Sequence, residues 1–147
     1  MEDGQCSKRE YQEGVDWTKG TLLGTGAYST CYQARDMETG TLMAAKQISF
    51  CRNTDEEQDK VEQLVKEEVA LMARLQHPHT VRMYGAIQEG QHINVFEEWM
   101  PGGSVASLLD KHGAFKESVI LRYVHQILLG IDYLHSNGVL HRDLKGS

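Results

Sequence analysis

The stretch GVLHRDLKGS, Gly138–Ser147, gathers His141, Arg142, Asp143 and Lys145 behind a short apolar step, Val139-Leu140. It reads as the start of a catalytic loop. Far upstream, LLGTGAYSTCYQA (Leu22–Ala34) holds Gly24 and Gly26 in a tight strand-turn-strand. Glycine at such a turn lets backbone N–H groups approach phosphate oxygens with no Cβ in the way. A plain glycine turn explains the same residues, and a dinucleotide site does not fit, because a strand rather than a helix follows the glycines. Lys46 stands in LMAAKQI among Met43, Ala44, Ala45 and Ile48. Alone, a strand lysine snorkels to solvent. Glu68 supplies a reason to read it otherwise. It falls on an apolar helix stripe, four after Leu64 and three before Leu71. A buried acid without a counter-charge costs on the order of several kcal/mol. The pattern therefore predicts a buried Lys46–Glu68 pair, with Glu67 solvated beside it.

These residues need elements to hold them. Alternation and turn signals predict strands over about Lys19–Gly26, Ser29–Asp36 and Thr41–Ile48. A helix is expected from about Asp55 to Gln76, carrying Val61, Leu64, Val65, Leu71, Met72 and Leu75 at helical spacing. Asp55, Glu56 and Glu57 lie near its start, where negative charge suits the helix dipole. Strands near Val81–Ile87 and His92–Glu98 follow. Pro101-Gly102-Gly103 breaks the pattern as a candidate hinge. A short helix is expected over about Ser104–Lys111. A longer one runs over about Glu117–Ser136, striped by Ile120, Val124, Ile127, Leu128, Ile131 and Leu134 and closed by Asn137-Gly138. The polar residues 1–16 read as a flexible leader.

Glycine loop, strand lysine, helix glutamate and HRD loop, in that order, resemble the eukaryotic protein kinase domain. The stretches CYQA, HP, EEWMPGGSV, GAFKES, YLH and HRDLKG are similar to MAP kinase kinase kinases of the MEK kinase type. The resemblance covers the chain from about Trp17 to its last residue. It implies an α+β fold: a protein-kinase-like N-terminal lobe, a five-stranded antiparallel sheet plus one helix over 17–100, then the start of the helical C-terminal lobe over 101–147. It implies ATP-dependent phosphorylation of protein serine or threonine, in a MAP kinase cascade, with a MAP kinase kinase as the candidate substrate. Gly24 and Gly26 would fold over the ATP phosphates, with Tyr28 near the loop tip. Leu23, Cys31 and Ala44 would roof the adenine, and Glu98 and Met100 would offer it hinge backbone groups. Lys46, held by Glu68, would touch the α- and β-phosphates. Asp143 would accept or orient the substrate hydroxyl and Lys145 would contact the transferring phosphate. His141 and Arg142 are scaffolding in this scheme. Phosphoryl transfer mostly needs positioning and charge neutralisation, which glycine N–H groups, lysines and one carboxylate can provide.

The chain also departs from the family pattern. Ser29 replaces the third loop glycine, and Ala45 a larger aliphatic residue. His79 and Thr80 stand where Asn and an aliphatic residue are common. Glu97 occupies the gatekeeper position, usually apolar or threonine. Alternation puts it on the face of Ile93 and Val95, pointing toward Lys46. In a complete kinase the Mg²⁺-binding asparagine and DFG motif follow this loop. They are not in this sequence, so no metal ligands are assigned. A piece of a longer kinase domain is expected; the alternatives are a deliberately shortened form and a natural truncated module that binds nucleotide or protein partners without catalysis.

Composition agrees with this class. The formal net charge is -6, a mildly acidic balance that argues against nucleic acid or an anionic membrane as the main partner. Cys6, Cys31 and Cys51 have no metal-ligand spacing and suggest a reducing, cytoplasmic compartment. No apolar run is long enough to span a bilayer. The seven histidines suggest no metal site.

Overall fold

The computed structural model describes residues 13–26, 29–49 and 54–147. Three strands come first: β1 (Trp17–Thr25), β2 (Ser29–Asp36) and β3 (Leu42–Ser49). Helix α1 (Asp55–Ala73) then precedes β4 (Met83–Glu89) and β5 (His92–Glu98). Helices α2 (Val105–His112) and α3 (Glu117–Ser136) complete the described chain. The strands form one antiparallel sheet in the order β1-β2-β3-β5-β4. This is the α+β architecture that the sequence implies.

Strand alternation gives the sheet two apolar faces. One carries Trp17, Ala34, Met43, Ala45 and Phe96. The Trp17 ring meets Phe96 edge-on, with centroids 5.0 Å apart and planes at 74°. The other face carries Ile93 and Val95, and α1 lies on it through Val69, with Val61 and Val65 partly buried. Full burial of side chains of this size stabilises by roughly 1.5–3 kcal/mol each. Asn94, between Ile93 and Val95 in β5, is buried on the opposite face and is satisfied: its amide oxygen accepts from Gln47 Nε2 at 3.0 Å, and its amide nitrogen donates to Glu89 at 2.5 Å.

Helix α1 begins at a capping box. The Thr54 side chain accepts from the Glu57 N–H, and Glu57 Oε2 accepts from the Thr54 N–H at 3.0 Å. The helix ends at Ala73, short of the expected Gln76. Its last turn tightens: Arg74 and Leu75 donate to Leu71 and Met72, three residues back. Residues 13–16 of the expected leader are fastened to the sheet. The Glu13 N–H donates to Glu89 Oε1 at 2.7 Å, Glu13 pairs with Lys19 at 3.4 Å, and the Asp16 carbonyl accepts from Met37 at 2.9 Å.

The helical segment joins the sheet region at the turn after α1. The Gln76 N–H donates to Tyr133 Oη at 3.1 Å, and the His77 ring stacks on Tyr133 at 4.7 Å. Gly130 makes the joint possible, because a Cβ there would stand 2.6 Å from the His79 carbonyl oxygen. Most of the α3 stripe is open: Ile120, Val124, Ile127 and Leu128 are exposed, whereas Leu134 is buried. No helix among the described residues is long and apolar enough to cross a membrane.

Candidate functional site

The site is built on the β2–β3–β5 ladder. Cys31 stands opposite Lys46 on one side, and Val95 stands opposite Lys46 on the other. Ala44, two residues before Lys46, stands opposite Glu97. Alternation therefore places Cys31, Ala44, Lys46, Val95 and Glu97 on one face, the face that α1 partly covers. Lys46 is exposed; Cys31, Ala44 and Glu97 are half-buried. Burial pushes the Glu97 carboxyl above the usual carboxylate range, and the Lys46 charge pulls it partly back. The Cys31 thiol is also pushed up by burial, lowered by Lys46 and raised by Glu97. These three side chains form one electrostatic group.

Glu68 is not part of it. The expected Lys46–Glu68 ion pair is absent among the described residues, and both side chains are exposed. The reason lies in how α1 is turned. It buries the line Val61-Val65-Val69, spaced by four, against Ile93 and Val95. The neighbouring line Leu64-Glu68-Leu71 faces outward, with Leu64 64% and Leu71 47% exposed. Two adjacent apolar lines run along this helix, and only one packs on the sheet.

The glycine turn closes with the Gly26 N–H donating to the Ser29 carbonyl at 2.7 Å. A Cβ added to Gly24 would meet nothing within 4 Å, and one added to Gly26 would touch Ser29 Oγ at an ordinary 3.4 Å. Neither glycine is demanded by packing inside the lobe. Register shifts on either side of Leu22 mark bulges in β1, which bend a strand. Leu23 is exposed beside them. Tyr28 lies outside the described residues. At the other end of the face, the Glu98 N–H donates to the Arg82 carbonyl at 2.8 Å, and the Met100 carbonyl accepts from Gly103 at 3.0 Å.

The HRDLKG loop brings its own pair together. Lys145 Nζ lies 3.0 Å from Asp143 Oδ2, with both side chains largely open. The Asp143 N–H donates to His141 Nδ1 at 3.2 Å. Arg142 turns the loop with a left-handed backbone, φ 62°. The Gly146 carbonyl accepts from Ala106 at 2.7 Å and ties the loop to the first turn of α2. Among the described residues no three His, Cys, Asp or Glu side chains gather to hold a metal ion. The described residues thus offer Mg²⁺ no cluster of carboxylates, and Asp143 is paired with Lys145.

Sequence reasoning did not anticipate the His77–Tyr133–Gly130 joint. An isolated glycine inside an apolar helix, as in LLGIDYLH, is the signal that another backbone comes close.

Residues 17–147 match the family model of the protein kinase domain. The chain is 52% identical over 141 residues to human mitogen-activated protein kinase kinase kinase 1, covering 96% of this chain and 9% of that protein. It is 43% identical over 136 residues to mitogen-activated protein kinase kinase kinase 2 of Arabidopsis thaliana, covering 90% of this chain and 21% of that protein. Among solved structures it resembles Rad53 1-466 in complex with AMP-PNP, with a TM-score of 0.75 and 31% identity over 89% of this chain and 33% of that one. The chain thus spans a small part of each relative's length.

Proposed function

The chain belongs to the protein kinase domain family, and from that premise we propose that it is the nucleotide-binding lobe and first helices of a serine/threonine protein kinase of the MAP kinase kinase kinase kind. The proposed division is a nucleotide lobe over 17–100 and the start of the helical lobe over 101–147. ATP is the phosphoryl donor, and the acceptor is a hydroxyl of a protein substrate, with a MAP kinase kinase fitting the relatives' names. A cytoplasmic location goes with this reading. Mg²⁺ is used by the family.

One observation carries the reading. Lys46 is open on the same face as the small Ala44 and Cys31, and the adjoining turn has glycines that the lobe's own packing does not require. Such a surface suits a polyphosphate and a flat base: N–H groups and an ammonium for the charge, and Leu23, Cys31 and Ala44 for the ring. The Asp143–Lys145 pair suits the acceptor side. Asp143 would orient the attacking hydroxyl and take its proton, while Lys145, 3.0 Å away, would meet the transferring phosphate.

The alternative is a non-catalytic module that binds nucleotide or protein partners. It is favoured by the outward-facing Glu68, which leaves Lys46 without the expected acid, and by the open apolar stripe of α3. Phosphoryl transfer from MgATP to a recombinant MAP kinase kinase separates the two. The 147-residue chain is compared with the same chain extended by the sequence that follows the matched stretch in the human relative. The kinase reading expects label on serine or threonine from the extended chain, lost in Asp143→Asn. No transfer from an extended, folded chain that still binds ATP would favour the module.

A further inference from the structure

Glu97, the last residue but one of β5, lies close to Lys46. It stands opposite Ala44, while Lys46 stands opposite Val95, so the two charged residues are diagonal neighbours on one face. Diagonal partners on an antiparallel ladder lie about 7–8 Å apart, within reach of long side chains. Ala44 contributes only a methyl group beside them. The elements packed around Glu97 leave it few ionisable neighbours. β3 presents Lys46, β2 presents Cys31 opposite that lysine, and β4 sets Met83 against Glu97 itself. Helix α1 turns Val61, Val65 and Val69 to this face, and its Glu68 is exposed. Among these neighbours Lys46 is the cation. The burial of Glu97 weakens the hold of its carboxyl on charge, and Lys46 supports the ionised form.

A carboxylate in this place lowers the positive potential that an incoming phosphate would meet at Lys46. Two anions facing one ammonium cannot both be compensated, and the one that can take up a proton relieves the conflict. We propose that Glu97 and the polyphosphate of a bound nucleotide compete for the Lys46 ammonium, so that nucleotide binding draws a proton from solvent onto Glu97. The carboxylate becomes the neutral acid, and the lysine charge turns to the phosphates. The inference rests on the reading that this face binds nucleotide through Lys46. It adds to that reading a dependence on pH, set by one strand-end residue.

The test is titration calorimetry of MgATP into the 147-residue chain and into Glu97→Gln and Lys46→Met, across mildly acid to mildly alkaline pH. Two buffers of different ionisation heat report the protons exchanged. Glutamine keeps the shape of Glu97 without its charge, and far-UV circular dichroism checks each fold. The ionisation of ATP itself is common to all three proteins and cancels in the comparison. The parent is expected to take up more proton than Glu97→Gln and to lose affinity more steeply as pH rises. Glu97→Gln is expected to bind on the order of tenfold tighter at neutral pH, as removal of one nearby charge at an intermediate dielectric gives. Equal proton uptake and parallel pH profiles, with binding still weakened by Lys46→Met, would overturn this inference alone. Binding that ignores Lys46→Met would overturn the nucleotide reading of Lys46 and this inference with it.

Discussion

The sheet with α1 and the segment α2–α3 both carry apolar stripes and end up differently packed. The sheet region has two closed apolar layers, Trp17-Ala34-Met43-Ala45-Phe96 on one face and Val69-Ile93-Val95 on the other. Helix α2 buries no residue, and α3 buries only Gly130 and Leu134. The difference teaches that amphipathicity specifies a helix without specifying its partner. Pairing sets the apolar residues of neighbouring strands side by side on a shared face, and α1 covers one of those faces through Val69. Helix α3 meets the turn after α1 through Tyr133, stacked on His77, and through Gly130, set against the His79 carbonyl, while most of its apolar stripe stays exposed.

The largest expected effect tests this contrast directly. Trp17→Ala removes a fully buried ring from the closed layer and should destabilise by about 3–5 kcal/mol, read as a lowered urea midpoint. Leu128→Ala, at a residue 59% exposed on α3, should change stability by no more than about 0.5 kcal/mol. Comparable losses would mean that α3 is as firmly packed as the sheet. Next comes the joint. Gly130→Ala places a methyl group against the His79 carbonyl and should cost roughly 1–3 kcal/mol, because backbone must shift to admit it. Hydrogen exchange should quicken in α3 and stay unchanged in β3 and β5. Equal quickening in the sheet would show that the two regions open as one unit.

The fold was legible where periodicity is local. All five strands and all three helices fall where alternation, helical spacing and the glycine or proline breaks put them, and the ends of β2, β5 and α3 agree to the residue. The alternation argument also placed Glu97 beside Lys46, which the ladder register supports. The rotation of α1 was not legible. Val61, Val65 and Val69 form one apolar line, and Leu64 and Leu71 lie on another, and spacing alone cannot say which one the sheet covers. That choice decided the Lys46–Glu68 pair. The joint was hidden for a related reason: His77 and Tyr133 are far apart in sequence, and no local pattern links them.

A smaller effect is expected at the start of α1, which belongs to the well-packed region but is held there by polar groups. Thr54→Ala removes the capping hydroxyl that accepts from Glu57 and should cost about 1 kcal/mol. Thr54→Ser keeps the hydroxyl and should recover most of that stability in the same urea melt. A cap that proves silent would mean that α1 is fixed by its Val61-Val65-Val69 face alone.

The smallest effect concerns Glu97, where the closed region meets the candidate site. Its carboxyl titrates above the ordinary glutamate range in the folded chain, because burial disfavours the charge more than Lys46 supports it. The folded state then holds more protons than the unfolded state between the two pKa values, so stability falls as pH rises through that window. Below the unfolded value the group is neutral in both states and carries no such penalty. Above the folded value the penalty is complete. Glu97→Gln should therefore be more stable than the parent at neutral pH. The advantage should shrink on acidification and vanish below the ordinary glutamate pKa of about 4.3. Urea melts of both proteins at several pH values measure it without any nucleotide present. An advantage that persists unchanged into acid would reflect packing of the amide and not the charge of Glu97.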